Sequence, residues 1–415
     1  MGAEAVESPA IRPLAQHGRL PNPNPIAAVL RFLAIALCVV LVSAVSVGAI
    51  AFARVAGELN ANKVDIGTGG GSVPTIGAYS GPVNLLLVGS DTRNGQKGHY
   101  GENPGSTLND VNILIHVSDD HSKATVMSFP RDLYVNVPAC PDPTHPGQRL
   151  APETDVKINS TLEYGGVGCV RDTVAALTGI SIPYAALITF DGVVEMSNAV
   201  GGVQVCVAKA INDDYTQLHL PAGIHTLQGP TALKFLRTRH GVGDGSDLTR
   251  ISSQQVFLSA LVRKIKSNST LSDVTKLYGL AKAAANSMVL SSTLANLDTM
   301  VSIARAVAPI SLNRFVLVQY PTVVSGDGLT PNTTAAKALV DAVKADKTLR
   351  LSTKQKGATD GQGSVVKGGS TSSPSPAPSP SASSAPGGTV DLPDTVVGQT
   401  AAQQTCSVGN DLGTR

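Results

Sequence analysis

The 415-residue chain has no tryptophan, only 4% aromatic residues and only 15% charged ones. Its 32 basic residues against 30 acidic leave a formal net charge of +2, so no whole-chain field exists to draw in a polyanion. Basic residues are not interleaved with aromatics, and nucleic-acid binding is not expected. The eight histidines show neither HExxH nor paired-ligand spacing, and the five cysteines contain no CxxC, which argues against a zinc-thiolate or zinc-histidine site. Ser90 stands outside any GxSxG, so a nucleophile-elbow serine hydrolase is not indicated.

Long hydrophobic runs are scarce too, with one exception. Between Arg31 and Arg54 stands FLAIALCVVLVSAVSVGAIAFA, uncharged and long enough as a helix to cross about 30 Å of hydrocarbon. Arg12, Arg19 and Arg31 come before its end with no acid after Glu7. The positive-inside tendency then places a tail at 1–30 in the cytoplasm, a span at 31–54, and the rest outside. Ala51-Phe52-Ala53 also suits signal-peptidase cleavage, but the apolar run exceeds a usual signal core, so a retained anchor is expected. Cys38 falls in the span, whereas Cys140, Cys169, Cys206 and Cys406 fall outside, where disulfides persist. Four cysteines allow three pairings; Cys140 with Cys169 is favoured, and the choice stays open.

Residues 55–82 turn to Gly, Ser, Asn and Thr and read as a flexible tether. VNLLLVGSD and DVNILIHVSD follow, short Val-, Ile- and Leu-rich runs bounded by Gly, Asn and Asp, as buried strands are. ATVMSFPRDLYVNV reads as a third, interrupted at Pro130. GCVRDTVAALTG sets Val170, Val174 and Leu177 at helical spacing and stops on Gly179. ISSQQVFLSALVRKIKS puts Ile251, Leu258, Leu261, Val262 and Ile265 on one helix face. With the strand FVLVQYP and the helix TAAKALVDAVKAD, these make one α/β domain over 83–350, a central sheet flanked by helices. Residues 351–390, including SSPSPAPSPSASSAPGG, read as a disordered spacer. In the tail 391–415 only Cys406 suggests docking.

In so charge-poor a chain, LRTRHGVGDGSDLTR (236–250) stands apart. Arg237, Arg239 and Arg250 appear there without a single lysine, on either side of glycines at 241, 243 and 245. If 237 and 239 are extended, their guanidiniums emerge on one side. If a helix begins near Asp247 or Thr249, Arg250 and Gln254 share its face, and Arg250 sits at the positive end, where an anion relieves the charge. Planar guanidiniums match phosphate oxygens, so a pyrophosphate is the expected ligand. Asp91 follows one strand in GSDTR, Asp110 begins the next, and Arg131-Asp132 interrupts a third; such strand ends bind ligands in open α/β sheets. Carboxylates beside pyrophosphate suggest Mg²⁺. Each feature has a plainer alternative: Asp91 as a turn cap, Asp110 as a polar strand end, Asp244 and Asp247 as solvated turn residues, and Arg131-Asp132 as a surface ion pair.

LLLVGSDTR, SFPRDLYV, KINSTLEYGG, AVGGVQV, HTLQGPTALKFLRTRH and GDGSDLTRISSQQ, in this order after one span, resemble the LytR-CpsA-Psr family of bacterial cell-envelope proteins. The resemblance covers a motif core at 83–268 and implies an LCP-type domain with a central mixed sheet. It also implies transfer of a sugar phosphate from a polyprenyl-pyrophosphate glycan carrier to a peptidoglycan hydroxyl, with Mg²⁺ as cofactor and the lipid in an apolar tunnel. Asp91 and Asp110 would then hold the metal. Arg131, Arg237, Arg239 and Arg250 would hold pyrophosphate, with Arg93 in a secondary place and Gln254 on the same helix face. Asp247 would orient arginines or assist proton removal, so that Asp247, Arg239 and Arg250 are the expected catalytic group. Two positions depart from the family pattern: Leu108 and Ser253 stand where many members carry arginine, and Lys97 from the insertion NGQKGHYGENPGST is a candidate substitute. Ala- and Gly-rich composition suits a high-GC Gram-positive bacterium. A pyrophosphatase with the same site and a non-catalytic lipid binder are the alternatives, while the glycopolymer itself, teichoic acid, arabinogalactan or capsule, is left open.

Overall fold

Alternate side chains of the strand Val83–Ser90 divide between two cores. Leu86 and Val88 join one apolar cluster with Leu114 and Met127, while Leu85 and Leu87 face another with Val111, Ile113 and Ile115, as period-two geometry requires. The computed structural model describes residues 25–61, 63–66, 81–93, 96–98, 100, 101, 105–145, 147–267, 274–355, 364–366 and 388–410. The chain divides into two units, 1–54 and 55–415.

Helix α1 (Pro25–Ala61) supplies the apolar span. An 18-residue window within Ile26–Glu58 reaches a mean hydropathy of 2.7, and the large apolar side chains from Ile26 to Ile50 are exposed. By length and composition it can cross a membrane. The helix continues to Ala61, and Lys63–Val64 pairs with Met288–Ser291. Residues 55–61 and 63–66 are therefore described elements of the second unit rather than the tether their composition suggests, with Val55 and Ile66 buried, while 67–80 of that tether lie outside the described residues.

In the second unit an eight-stranded mixed sheet runs in the order 63–64, 288–291, 184–188, 83–90, 109–117, 124–129, 315–319, 398–400. Its centre, 83–90 with 109–117 and 124–129, is antiparallel, whereas 184–188 and 315–319 add in parallel. Helix α2 (Thr161–Thr178) packs into the first cluster through Val167, Val170 and Val174 and ends at Gly179 in the left-handed region (φ 63°), where glycine carries no steric cost. The strand that Pro130 was expected to interrupt does break there, resuming at Tyr134–Val137.

On the other face lie α3 (Phe190–Ala199), α4 (Gly229–Arg237) and α5 (Asp247–Lys266). Thr189 caps α3 by accepting from the Gly192 amide, and Ser246 caps α5 by accepting from the Thr249 amide. Asp191 and Asp247 stand in the first turns, and Arg263, Lys264 and Lys266 in the last turn of α5, the charge order that a helix dipole favours. A four-stranded sheet, 223–227, 203–209, 405–408, 364–366, packs with α4 and α5 around Val205, Phe235 and Phe257. The tail expected at 391–415 thus contributes strands to both sheets. Most of the spacer expected at 351–390 lies outside the described residues. Two disulfides, Cys140–Cys169 and Cys206–Cys406, settle the pairing.

Candidate functional site

Leu87, Val111 and Ile113 on the second sheet face form one wall of a cavity of about 440 Å³, closed by α3, α4 and α5. Helix α5 grades it chemically. Arg250 and Gln254 line it from the first turns, and Leu258, Leu261 and Ile265 from the later ones, a rise of about 22 Å at 1.5 Å per residue. Asp110, Arg131, Arg237 and Arg239 join the polar end. An apolar cavity with charged groups at one end suits a ligand with a greasy tail and an anionic head.

The arginines are fixed from behind by carboxylates. Asp110 Oδ1 accepts from Arg131 Nη1 at 2.8 Å, and the Asp110 carbonyl accepts from Arg250 Nη2 at 2.8 Å. Asp247, with its side chain only 4% exposed, pairs with Arg250 Nη2 at 2.5 Å and accepts from the Arg131 amide at 3.1 Å. Burial works against the charge of Arg131, but Asp110, Asp247 and Asp132 outweigh it and hold its pKa above the usual value. Arg237 lies over the Phe190 ring, 4.3 Å from its centre, and burial and the charge of Arg93 press its pKa down. Arg239 is held through Nε, which donates to the Gly245 carbonyl at 3.0 Å. The Nε atoms of Arg93, Arg131 and Arg250 are buried with no acceptor among the described residues. Buried donors and an under-compensated guanidinium call for an anion.

Asp91 and Asp110 flank the hairpin end where the register shifts after Gly89. Asp91 Oδ1 accepts from the Leu108 amide at 2.8 Å. Burial first, and the Asp110 charge next among the effects that raise it, lift the Asp91 pKa above 3.8. Among the described residues no cluster of three or more acidic, His or Cys ligands occurs. Two neighbouring carboxylates nonetheless fit Mg²⁺, which takes one or two acids and fills its octahedron with phosphate oxygens and water.

Of the residues singled out in the sequence, Asp110, Arg131, Arg237, Arg239, Arg250 and Gln254 line the cavity, while Asp91, Arg93 and Asp247 stand outside its lining. Arg237 and Arg239 do not alternate along a strand: Arg237 closes α4, and Thr238 turns the chain (φ −58°, ψ 131°). Lys97 is exposed and absent from the lining; its amide donates to Asp191 in the first turn of α3 at 2.6 Å. Leu108 meets Asp91 through its backbone. Sequence reasoning missed Asp213, which is fully buried. It accepts from Thr238 Oγ1 at 2.5 Å and from the amides of Arg239, Gly241, Tyr215 and Thr216, and so shapes the turn that carries Arg239. One of two adjacent aspartates in INDDY, it gives no sign of that burial in the sequence.

Residues 52–345 match the model of the LytR_cpsA_psr family. The cell wall biosynthesis protein LcpA of Corynebacterium glutamicum is 31% identical over 285 residues, 62% of this chain and 53% of that protein. The polyisoprenyl-teichoic acid–peptidoglycan teichoic acid transferase TagT of Bacillus subtilis is 31% identical over 240 residues, 56% of this chain and 68% of that protein. The chain spans about half the length of the corynebacterial relatives it matches (53% and 44%). In fold it is similar to the LytR-Csp2A-Psr enzyme from Actinomyces oris, with a TM-score of 0.50 at 22% identity, over 68% of this chain and 94% of that one. With the family model matched across well over half its length, this chain belongs to the LytR_cpsA_psr family.

Proposed function

We propose that the protein is a membrane-anchored transferase that moves a glycopolymer phosphate from a polyprenyl-pyrophosphate carrier to a peptidoglycan hydroxyl. One observation carries this reading: buried guanidiniums with unmatched donors stand at the polar end of an otherwise apolar cavity. Pyrophosphate matches the arginines, and a polyprenyl chain matches the wall of Leu, Ile, Val and Phe. The names of relatives, a teichoic acid transferase among them, agree with it.

In the reaction the acceptor oxygen attacks the sugar-side phosphorus, the bridging P–O bond breaks, and polyprenyl phosphate departs with the bonding electrons. The hydroxyl proton passes to solvent or to the departing phosphate. Arg131, Arg237, Arg239 and Arg250 bind the pyrophosphate oxygens, Gln254 flanks them on α5, and Arg93 adds charge from behind. Fixed charges of this kind stabilise what builds on the leaving phosphate. Asp247, buried against Arg131 and Arg250, keeps their forks aimed. Asp91 and Asp110 would hold Mg²⁺, which when bound neutralises phosphate charge. The basic residues Arg12, Arg19 and Arg31 near the start of the span, and two disulfides after it, support a cytoplasmic amino terminus and an extracytoplasmic catalytic unit.

The test uses the full chain in detergent with a short-chain polyprenyl-pyrophosphate disaccharide, peptidoglycan fragments and Mg²⁺. Glycan is expected on peptidoglycan with the wild type. Arg239→Ala and Arg250→Ala each remove charge-assisted bonds worth about 1.5–3 kcal/mol, a loss of about ten- to a hundredfold in turnover. Free sugar phosphate instead of ligated product would make the protein a pyrophosphatase; lipid binding without either product would make it a binder.

A further inference from the structure

The loop that presents Arg239 is not self-supporting. From Gly241 to Gly243 it pairs with a segment more than 160 residues away in sequence, Val408 to Asn410. The Gly243 amide donates to the Val408 carbonyl at 3.0 Å, and the Asn410 amide to the Gly241 carbonyl at 3.0 Å. Asn410 Nδ2 donates to the Gly243 carbonyl at 2.8 Å. Val242 and Gly409 form an antiparallel bridge. On its other side Gly409 donates to the Lys209 carbonyl at 3.1 Å, and a Cβ there would lie 1.8 Å from the Ala210 carbonyl oxygen. Only glycine fits between the two strips of backbone.

The same segment is anchored at three further points. Cys406 is bonded to Cys206 on the neighbouring strand. Ser407, fully buried, shares a 2.7 Å hydrogen bond with Ser253 on α5, the position where an arginine is common in relatives by the sequence pattern. The strand 405–408 lies parallel to 203–209. Asp213 fixes the loop from one side through Thr238, Arg239 and Gly241, and residues 408–410 fix it from the other through Gly241 and Gly243.

The geometry points to a positioning role for the segment 405–410, with Asn410 as its key side chain: it braces the Gly241–Gly245 backbone so that Arg239, held through the Gly245 carbonyl, meets the sugar-side phosphate. This rests on reading the cavity as a pyrophosphate site. Asn410 acts on the ligand only through the loop.

The experiment takes the full chain in detergent and compares wild type, Asn410→Ala, Asn410→Asp and Gln404→Ala, an exposed control immediately before the segment. Two readouts are kept apart: hydrogen exchange of the amides in 241–245, and binding of geranylgeranyl pyrophosphate. Asn410→Ala should speed exchange in the loop and weaken binding about three- to tenfold, the effect of one hydrogen bond, with the melting temperature close to wild type. Asn410→Asp keeps the shape but lacks the donor and should behave like alanine; Gln404→Ala should match wild type. Unchanged loop exchange in Asn410→Ala, or faster exchange with wild-type binding, overturns the brace. So does wild-type behaviour of Asn410→Asp beside a defective alanine variant, which would reduce Asn410 to packing. Wild-type protein that fails to bind the lipid at all removes the pyrophosphate reading instead, and the exchange data still decide whether the segment braces the loop.

Discussion

An ionised aspartate drawn out of water costs free energy unless a cation meets it. Asp91 is in that position: burial and Asp110 lift its pKa above 3.8. A carboxyl with a raised folded-state pKa contributes stability below its unfolded value and loses that contribution as pH rises through the folded one. Without metal, the charged form therefore weakens the fold at neutral pH. Asp91→Asn keeps an oxygen for the Leu108 amide and discards the charge. It should melt higher than wild type at about pH 7 in chelator, the gap closing toward about pH 4, while Mg²⁺ no longer raises its melting temperature. Melting scans across pH, with and without Mg²⁺, check both halves; a variant that melts lower at neutral pH would contradict the electrostatic account. At this scale the arginines were legible because the chain holds so few charges that three in fifteen residues stand out. Asp213 was not, since a carboxylate at the end of the short strand 211–213 owes its burial to distant parts of the fold.

At the scale of elements, α5 joins the two chemistries of the cavity on one helix face. Leu258 lies between the arginine end and the apolar end of that face. Leu258→Trp should fill the space a prenyl chain needs, at a cost of about 1–3 kcal/mol in stability from overpacking. Calorimetry should then show geranylgeranyl pyrophosphate binding reduced to the level of inorganic pyrophosphate, itself unchanged from wild type. Equal loss of both ligands would mean that the head group, not the tail, feels the change. Strands such as 83–90 and 109–117 were readable from their Val, Ile and Leu runs, and α5 from its apolar spacing. The strand 405–408, TCSV, was not, because its Thr, Cys and Ser carry no apolar alternation; a disulfide, the Ser253 hydroxyl and backbone bonds place it. The composition of 55–66 misled for a related reason, since pairing with 288–291 and the burial of Val55 and Ile66 override weak local preference.

At the scale of the whole molecule, the two disulfides close loops of very different size, with sequence separations of 29 and 200 residues. Cross-linking entropy grows with the logarithm of loop length, which gives about 3.5 kcal/mol for the shorter loop and about 5 kcal/mol for the longer. Cys206→Ala with Cys406→Ala should therefore lower the guanidinium unfolding free energy more than Cys140→Ala with Cys169→Ala. An inverse ranking would place native-state packing around Cys140 above chain entropy.

The parallel seat of 405–408 beside 203–209 also sets an order of events in time. Residues 405–410 are synthesised some two hundred after the strand they join, and contacts of such long range form slowly. The central sheet and α5 can close around a cavity well before that segment arrives. A nascent chain that has reached residue 355 can thus possess the greasy half of the cavity while the loop that carries Arg239 is still unbraced, so the two ends of the cavity are completed at different times.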